Sequence, residues 1–219
     1  VIRLSKSPPI VEMSFMENAV RLVWITPDTE GIIGYCARVS NPANQDNPDV
    51  AKLLAYCVKH KHWSIFEQAN MCVEIETSRA ISAQILRHRS FSFQEFSQRY
   101  AASIGILTPD VRRQDLKNRQ NSIPDLPTET ALWWKRECSA HFEKTEQLYQ
   151  EALDKGIAKE CARFVLLMAS KTRLYMNGTI RSWIHYVDLR TANGTQSEHQ
   201  EIATKIKEIM KDNLPVVSN

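Results

Sequence analysis

The stretch "ANMCVEIETSRAISAQILRHR", residues 69–89, holds a change of period that decides how the chain is read. From Ala69 to Thr77 polar and apolar residues alternate, which predicts a strand; Ser78 is then placed to cap a helix through "RAISAQILRHR". On that helix Gln84, Arg87 and His88 fall at i, i+3 and i+4 and share a face, while Ile81 and Ile85 occupy the adjoining arc. One side can pack while its neighbour meets a ligand. Cations at a helix C-terminus also offset the macrodipole by about 0.3–1 kcal/mol with no ligand at all.

The chain continues as "RHRSFSFQEFSQRY", residues 87–100. Alternation there puts Glu95, Ser97 and Arg99 on one face of an extended segment, so a helix end and a strand converge their polar groups. Arginine carries a permanent charge on a planar fork that matches phosphate and carbonyl edges. Phenylalanines interleaved with it can lie against a flat ring, a combination that suits a nucleotide.

Outward from this centre, "AVRLVWIT" (19–26) predicts a strand closed by Pro27 and Asp28, and a helix follows through "EGIIGYCARVS". "NPANQDNP" (41–48) is turn chemistry, after which Val50, Leu53, Leu54, Cys57 and Val58 recur at helical spacing to about His60. Residues 103–127, with Pro109, Pro124 and Pro127, predict a polar, irregular excursion able to move without ligand. From Thr128 to about Lys155 the pattern predicts the longest helix, with Trp134, Cys138, Phe142, Thr145, Leu148, Tyr149 and Ala152 on one face and Gly156 as the stop. A helix over 157–170, a strand in "KTRLYMNG", and helices near 179–189 and 195–212 complete a mostly helical α+β chain.

With 219 residues, 43% hydrophobic and 24% charged, one globular domain over 1–219 is expected. Lys and Arg number 28 against 25 acidic residues, an excess too small for wrapping a polyanion; a single-stranded nucleic-acid module using 87–100 is the rival from another class. Cys36, Cys57, Cys72, Cys138 and Cys161 are widely spaced and include no CxxC, which reads as reduced thiols and a cytoplasmic protein. No apolar run approaches the ~20 residues of a membrane helix, and the N-terminal stretch has no signal-peptide core. His60 and His62 form H-x-H, with His141, His185 and His199 elsewhere, and without carboxylates at fixed spacing this is weak as a metal site; no metal is expected.

Three further patterns have ordinary explanations. "S-I-F-E" (64–67) reads as a capping box pairing Ser64 with Glu67. Arg163 sits off the stripe Ile157, Cys161, Phe164, Val165, Met168 and could pair with Glu160 on the surface. Arg181, His185 and Asp188 recur at i, i+4 and i+7 opposite Ile180, Ile184 and Val187, a solvated helix face.

Arg87-His88-Arg89, seven intervening residues and Ser97 resemble the RHR-x7-S motif of the flavin-dependent thymidylate synthases, and Glu95, Ser97, Arg99 and Tyr100 extend it. "HWSIFEQ" (62–68) resembles the family's H-x-[TS]-x-F-E-H segment, and "ARFVLL" with "IRSWIHYVDLRTANGTQSEHQEIA" resembles its C-terminal block. The resemblance spans most of 19–203 and implies an α+β fold: one mostly helical domain around a small mixed or antiparallel sheet. It implies transfer of the methylene of methylenetetrahydrofolate to C5 of dUMP, with tightly bound FAD, reduced by NADPH, as hydride carrier. It also implies a homotetramer with sites shared between subunits.

Carried over by position, the resemblance assigns His62, Ser64, Arg87, His88, Arg89, Glu95, Thr179, Ile180, Arg181 and His185 to FAD. It assigns Gln84, Ile85, Leu86, Arg87, Glu95, Phe96, Ser97, Gln98, Arg99, Arg163 and Arg190 to dUMP. Arg190 is the expected catalytic residue, since a guanidinium can stabilise charge developing on the uracil ring without giving up a proton. No cysteine falls in a matched substrate segment, consistent with a route lacking a protein nucleophile. Gln98, Thr179 and Leu167 depart from the glycine, asparagine and proline common in relatives.

Overall fold

The protein is described here from a computed structural model covering residues 18–98, 105–107 and 110–218. In chain order its elements are β1 (Ala19–Ile25), α1 (Thr29–Ala37), α2 (Ala51–Lys59), β2 (Asn70–Ser78), α3 (Arg79–Ile85), β3 (Ser92–Glu95), β4 (Arg113–Gln114), β5 (Ser122–Ile123), α4 (Thr128–Asp154), α5 (Lys159–Ala162), β6 (Lys171–Thr179), α6 (Ile180–Thr191) and α7 (Ser197–Asn213). The main sheet runs β1-β2-β6-β3 with every pair antiparallel, so the α+β expectation holds.

The sheet's inner face explains its sequence. Along β6, Thr172, Leu174, Met176 and Gly178 are buried while Arg173 and Tyr175 are exposed, the period of a strand covered on one side. Met71, Val73 and Ile75 of β2 join Leu174 and Met176, and α3, α6 and α7 add Ile81, Ile85, Ile180, Trp183, Tyr186, Ile202 and Ile206 to one apolar cluster. On the outer face, ion pairs Arg21–Glu74 and Arg173–Glu76 bridge neighbouring strands.

Ser78 caps α3 as expected, its Oγ accepting from Ile81 N at 3.4 Å. The helix stops at Ile85, however, and does not carry Arg87–Arg89. The amides of Arg87 and His88 bond only three residues back, to Gln84 O (3.3 Å) and Ile85 O (3.0 Å). This tightened turn swings the Phe91 ring against Trp183, 4.6 Å between centroids, and starts β3. The extended segment is shorter than its alternation suggests, since β3 ends at Glu95; Arg99 lies outside the described residues.

The helix expected over 157–170 is replaced by the single turn α5 and a 3-10 turn at Arg163–Val165. Tertiary bonding overrides the pattern: Met168 O and Ser170 O accept from Ala80 N and Arg79 N, and Ala169 O from Leu107 N, so these carbonyls serve the start of α3 and residue 107. The intended stripe is exposed, with Phe164 83% and Met168 61% accessible. Helix α4 is the longest, and Gly156 ends it at φ +82. Of its expected inner face only Tyr149 is buried, while Trp134 and Leu148 stand in solvent. The excursion 103–127 carries the small hairpin β4–β5. Among the described residues no helix is long and apolar enough to cross a membrane.

Gly178 admits the turn after α3, because a Cβ there would fall 2.5 Å from Phe91 Cδ1. Gly178→Ala is expected to cost about 1–3 kcal/mol by overpacking, lowering the thermal midpoint by several degrees. An unchanged midpoint would show that Phe91 is not fixed against β6.

Candidate active site

Strand β6 hands the chain to α6 through Thr179, whose Oγ1 accepts from Ser182 N at 3.2 Å as the N-cap. Along this helix start lies an open cleft of about 950 Å³. Val58, Trp63 and Ile184 supply apolar wall, Ser90, Thr179 and Ser182 hydroxyls, and Lys61, Arg181, His185, Glu67 and Asp188 ionisable groups. Arg181, His185 and Asp188 are exposed, as expected of a solvated helix face, and that face borders the cleft. The capping box at 64–67 is overturned: Trp63–Glu67 is a 3-10 turn preceded by His62, Ser64 is exposed within it, and Glu67 pairs with Arg181.

Of the residues assigned to FAD, Thr179, Arg181 and His185 line the cleft. His62 and Ser64 are exposed on the corner that contributes Trp63, and Arg89 is exposed beside Ser90. Ile180 is fully buried and its N–H donates to Ala69 O, so its side chain presents no surface to a ligand. Glu95 turns toward the sheet, its Oε1 accepting from Ser82 Oγ (2.7 Å) and Thr172 Oγ1 (2.9 Å) and pairing with Arg79 (3.1 Å).

A second group forms where the turn after α3, helix α6 and helix α7 meet. Arg190 Nε donates to His88 Nε2 at 2.9 Å, which makes Nε2 the unprotonated ring nitrogen of His88. The His88 ring stands edge-on to Tyr186, 4.8 Å between centroids. Tyr186 OH lies 3.0 Å from His199 Nε2, and His199 Nδ1 lies 3.4 Å from Gln84 Oε1. Gln84 Nε2 then donates to Gln196 Oε1 (2.6 Å) and Gln196 Nε2 to Glu198 Oε2 (2.8 Å). Because Gln84 Oε1 can only accept, His199 carries its proton on Nδ1 and Tyr186 donates to Nε2. The chain ends at the ion pair of Glu198 with Arg112, 2.6 Å, whose Nε holds Ser122 of the β4–β5 hairpin.

Among the other residues assigned to dUMP, Ile85 is fully buried, while Leu86, Arg87 and Phe96 are exposed. Arg87 and Arg89 form no ion pair with any described residue. Gln98 is 7% accessible, and its Nε2 is buried without a partner among the described residues, a donor that a ligand oxygen would satisfy. Arg163 stands apart in the turn beside α4, its guanidinium 5.9 Å over the Phe164 ring. Sequence reasoning missed Lys61, Trp63, Ser90, Ser182 and Ile184 in the cleft, and Tyr186, Gln196 and His199 in the junction. Ser182 follows Thr179 at the spacing of a cap and could have been found that way. The junction residues depend on how α7 packs on α6, which no local pattern encodes. No group of three His, Cys, Asp or Glu among the described residues could hold a metal ion.

The architecture is that of a known nucleotide-methylating enzyme. The chain superposes on the UMP/dUMP methylase PolB from Streptomyces cacaoi, solved with 5-Br dUMP, at a TM-score of 0.83 and 24% identity over 93% of this chain and 94% of that one, which shows a shared fold. Residues 21–216 match the family described as thymidylate synthase complementing protein. The flavin-dependent thymidylate synthase of a Synechocystis species is 54% identical over 189 residues, 86% of this chain and 87% of its own length. A probable flavin-dependent thymidylate synthase of Paramecium bursaria Chlorella virus 1 is 54% identical over 191 residues, 86% and 88%. The chain belongs to this family and is an enzyme.

Both junction histidines are held neutral. His88 is pushed down to about 4, by burial first and then by Arg190 and His185; His199 is pushed down to about 3, by burial and then by Arg190 and His88. An unfolded histidine titrates near ~6.5, so between there and roughly pH 4 the unfolded chain takes protons that the folded chain refuses, and stability falls as pH drops through that window. Thermal melting from pH 7.5 to 4.5 should show this decline, and His88→Asn should make it shallower. A decline of equal slope in the variant would mean that His88 titrates normally in the fold.

Proposed function

We propose that the chain is a flavin-dependent thymidylate synthase that converts dUMP to dTMP, taking its carbon from methylenetetrahydrofolate and its reducing power from NADPH through bound FAD. The observation that carries this reading is the meeting of Arg190 with His88 of the RHR stretch, on the helix whose start lines the cleft. Family membership over residues 21–216 supports it.

The residues present fit a flavin dinucleotide. A cleft of about 950 Å³ with apolar wall, hydroxyls and cations suits a large, flat, anionic ligand. Thr179, Arg181 and His185, with His62, Ser64, His88 and Arg89 flanking, would hold the cofactor. When bound, the flavin supplies the hydride that completes the methyl group. Glu95 acts through Arg79, Ser82 and Thr172 by fixing β3 against α3 and β6.

For dUMP, Arg87, Ser97, Gln98, Arg99 and Arg163 are the groups we assign to binding, and Gln84 and Arg190 those facing the base. Arg190 stabilises negative charge that develops at the ring as C5 becomes nucleophilic. No thiol is needed: burial raises the thiols of Cys57, Cys72 and Cys138, and no cysteine lines the cleft or joins the junction. We place the enzyme in the cytoplasm as a homotetramer. Exposed Leu132, Trp133, Trp134 and Leu148 on α4, with Phe164 and Met168 near it, support association through that side.

The purified protein should show flavin absorption bands and form dTMP when dUMP, methylenetetrahydrofolate and NADPH are supplied together. Arg190→Ala should lower that rate by at least about 10²–10³-fold while the flavin spectrum persists. Turnover retained by the variant would remove Arg190 from the chemistry.

A further inference from the structure

Lys61 stands where a glycine would fold more easily. Helix α2 ends in a two-bond cap, in which Lys61 N–H donates to Val58 O (3.1 Å) and His62 N–H to Cys57 O (2.9 Å). That cap holds Lys61 at φ +58, and the only other non-glycine residue with positive φ among the described residues is Asp28. A Cβ in this left-handed conformation crowds the following carbonyl, so the position favours glycine. The surroundings over-determine the corner: the Tyr56 and His60 rings lie 4.2 Å apart and the Tyr56 and His62 rings 5.7 Å.

What the strained corner delivers is a cation. Lys61 lines the cleft together with Arg181, His185 and Asp188. No carboxylate among the described residues lies within ion-pair distance of its ammonium, and Glu67, the carboxylate nearest in sequence, is bonded to Arg181. An ammonium presents a compact charge that suits a phosphoryl oxygen.

We propose that Lys61 is a phosphate-contact residue of the cleft, kept in a strained helix cap because its ammonium meets a phosphoryl group of a bound dinucleotide. This rests on reading the cleft as a dinucleotide site. Two sources share the chemistry, the diphosphate of FAD and the phosphates of NADPH, and we assign the contact to either dinucleotide through that common group.

The test compares the full-length wild-type chain with Lys61→Gly and Lys61→Arg. Without nucleotide, Lys61→Gly should melt about 2–4 °C higher, yet bind FAD about tenfold or more weakly. Riboflavin, which has no phosphate, should bind both proteins alike, and Lys61→Arg should keep FAD affinity without gaining stability. If FAD binding is unchanged and the KM for NADPH rises about tenfold instead, the contact stands and belongs to the nicotinamide dinucleotide. A variant that gains stability with both ligands unaffected, or that loses riboflavin and FAD affinity equally, overturns the inference. Failure of the wild-type chain itself to bind either dinucleotide overturns the reading of the cleft, and is seen before any variant is compared.

Discussion

Strand β6 is hydrogen-bonded along both edges, to β2 over its whole length and to β3 near its end, and this double pairing positions the elements that carry Arg181, His185, Arg190 and His88. Its last residue, Thr179, pairs with Asn70 and caps α6, so the helix carrying Arg181, His185 and Arg190 leaves the sheet at a fixed point. Its partner β2 hands over to α3 through Ser78 at the opposite end, where Lys171 pairs. Helix α3 and its tightened turn then lead to β3, whose Ser92 pairs with Asn177. A shift of β6 by one residue would invert the face of each of its side chains, moving Leu174 and Met176 out of the core and dislodging both helices together.

The polar junction obeys a strict accounting of donors and acceptors. Starting at Tyr186, each hydrogen bond is given on to His199, Gln84, Gln196 and Glu198, and the last carboxylate is closed by Arg112. A protonated His199 would turn Nε2 into a donor facing a tyrosine that now lacks its acceptor, and both hydrogen-bond partners of the ring, Tyr186 and Gln84, are neutral. Burial therefore selects the neutral ring, and the neutral ring sets the direction of the whole series. The same network ties the β4–β5 hairpin to helix α3 through Gln84, although the two are separated by more than twenty residues in sequence.

Much of the frame was legible because it is local. β-branched and aromatic content found β1, alternation found β2, Ser78 announced α3, Gly156 closed α4, and the motif spacing of 87–97 pointed to the region where Arg190 and His88 meet. The failures have tertiary causes. Residues 157–170 carry a helical stripe, but the carbonyls of Met168 and Ser170 bond the start of α3, and the segment breaks into short turns instead of one helix. Ser64 and Glu67 have capping-box spacing, but Glu67 is drawn to Arg181, 114 residues away. Trp134 and Leu148 lie at core spacing on a helix that the described chain leaves largely uncovered. Tyr186 and His199 gave no signal, since a buried tyrosine and histidine acquire meaning only from the packing of α6 on α7.

The partner chosen for Arg190 bears on how it acts. Arg21, Arg79, Arg112, Arg113, Arg173 and Arg181 each hold a carboxylate, which satisfies the guanidinium and cancels much of its field. Arg190 is oriented by a neutral imidazole through Nε alone, and no described residue takes a hydrogen bond from its terminal nitrogens. A carboxylate in place of His88 would fix the side chain more tightly but would leave less net charge for a ligand. The imidazole fixes direction while sparing the charge, and its burial beside Arg190 keeps it from taking a proton and repelling the guanidinium. For a group asked to stabilise negative charge as it develops on a substrate ring, orientation without neutralisation is the useful combination, and it favours Arg190 over the carboxylate-paired arginines as the residue that carries the proposed reaction.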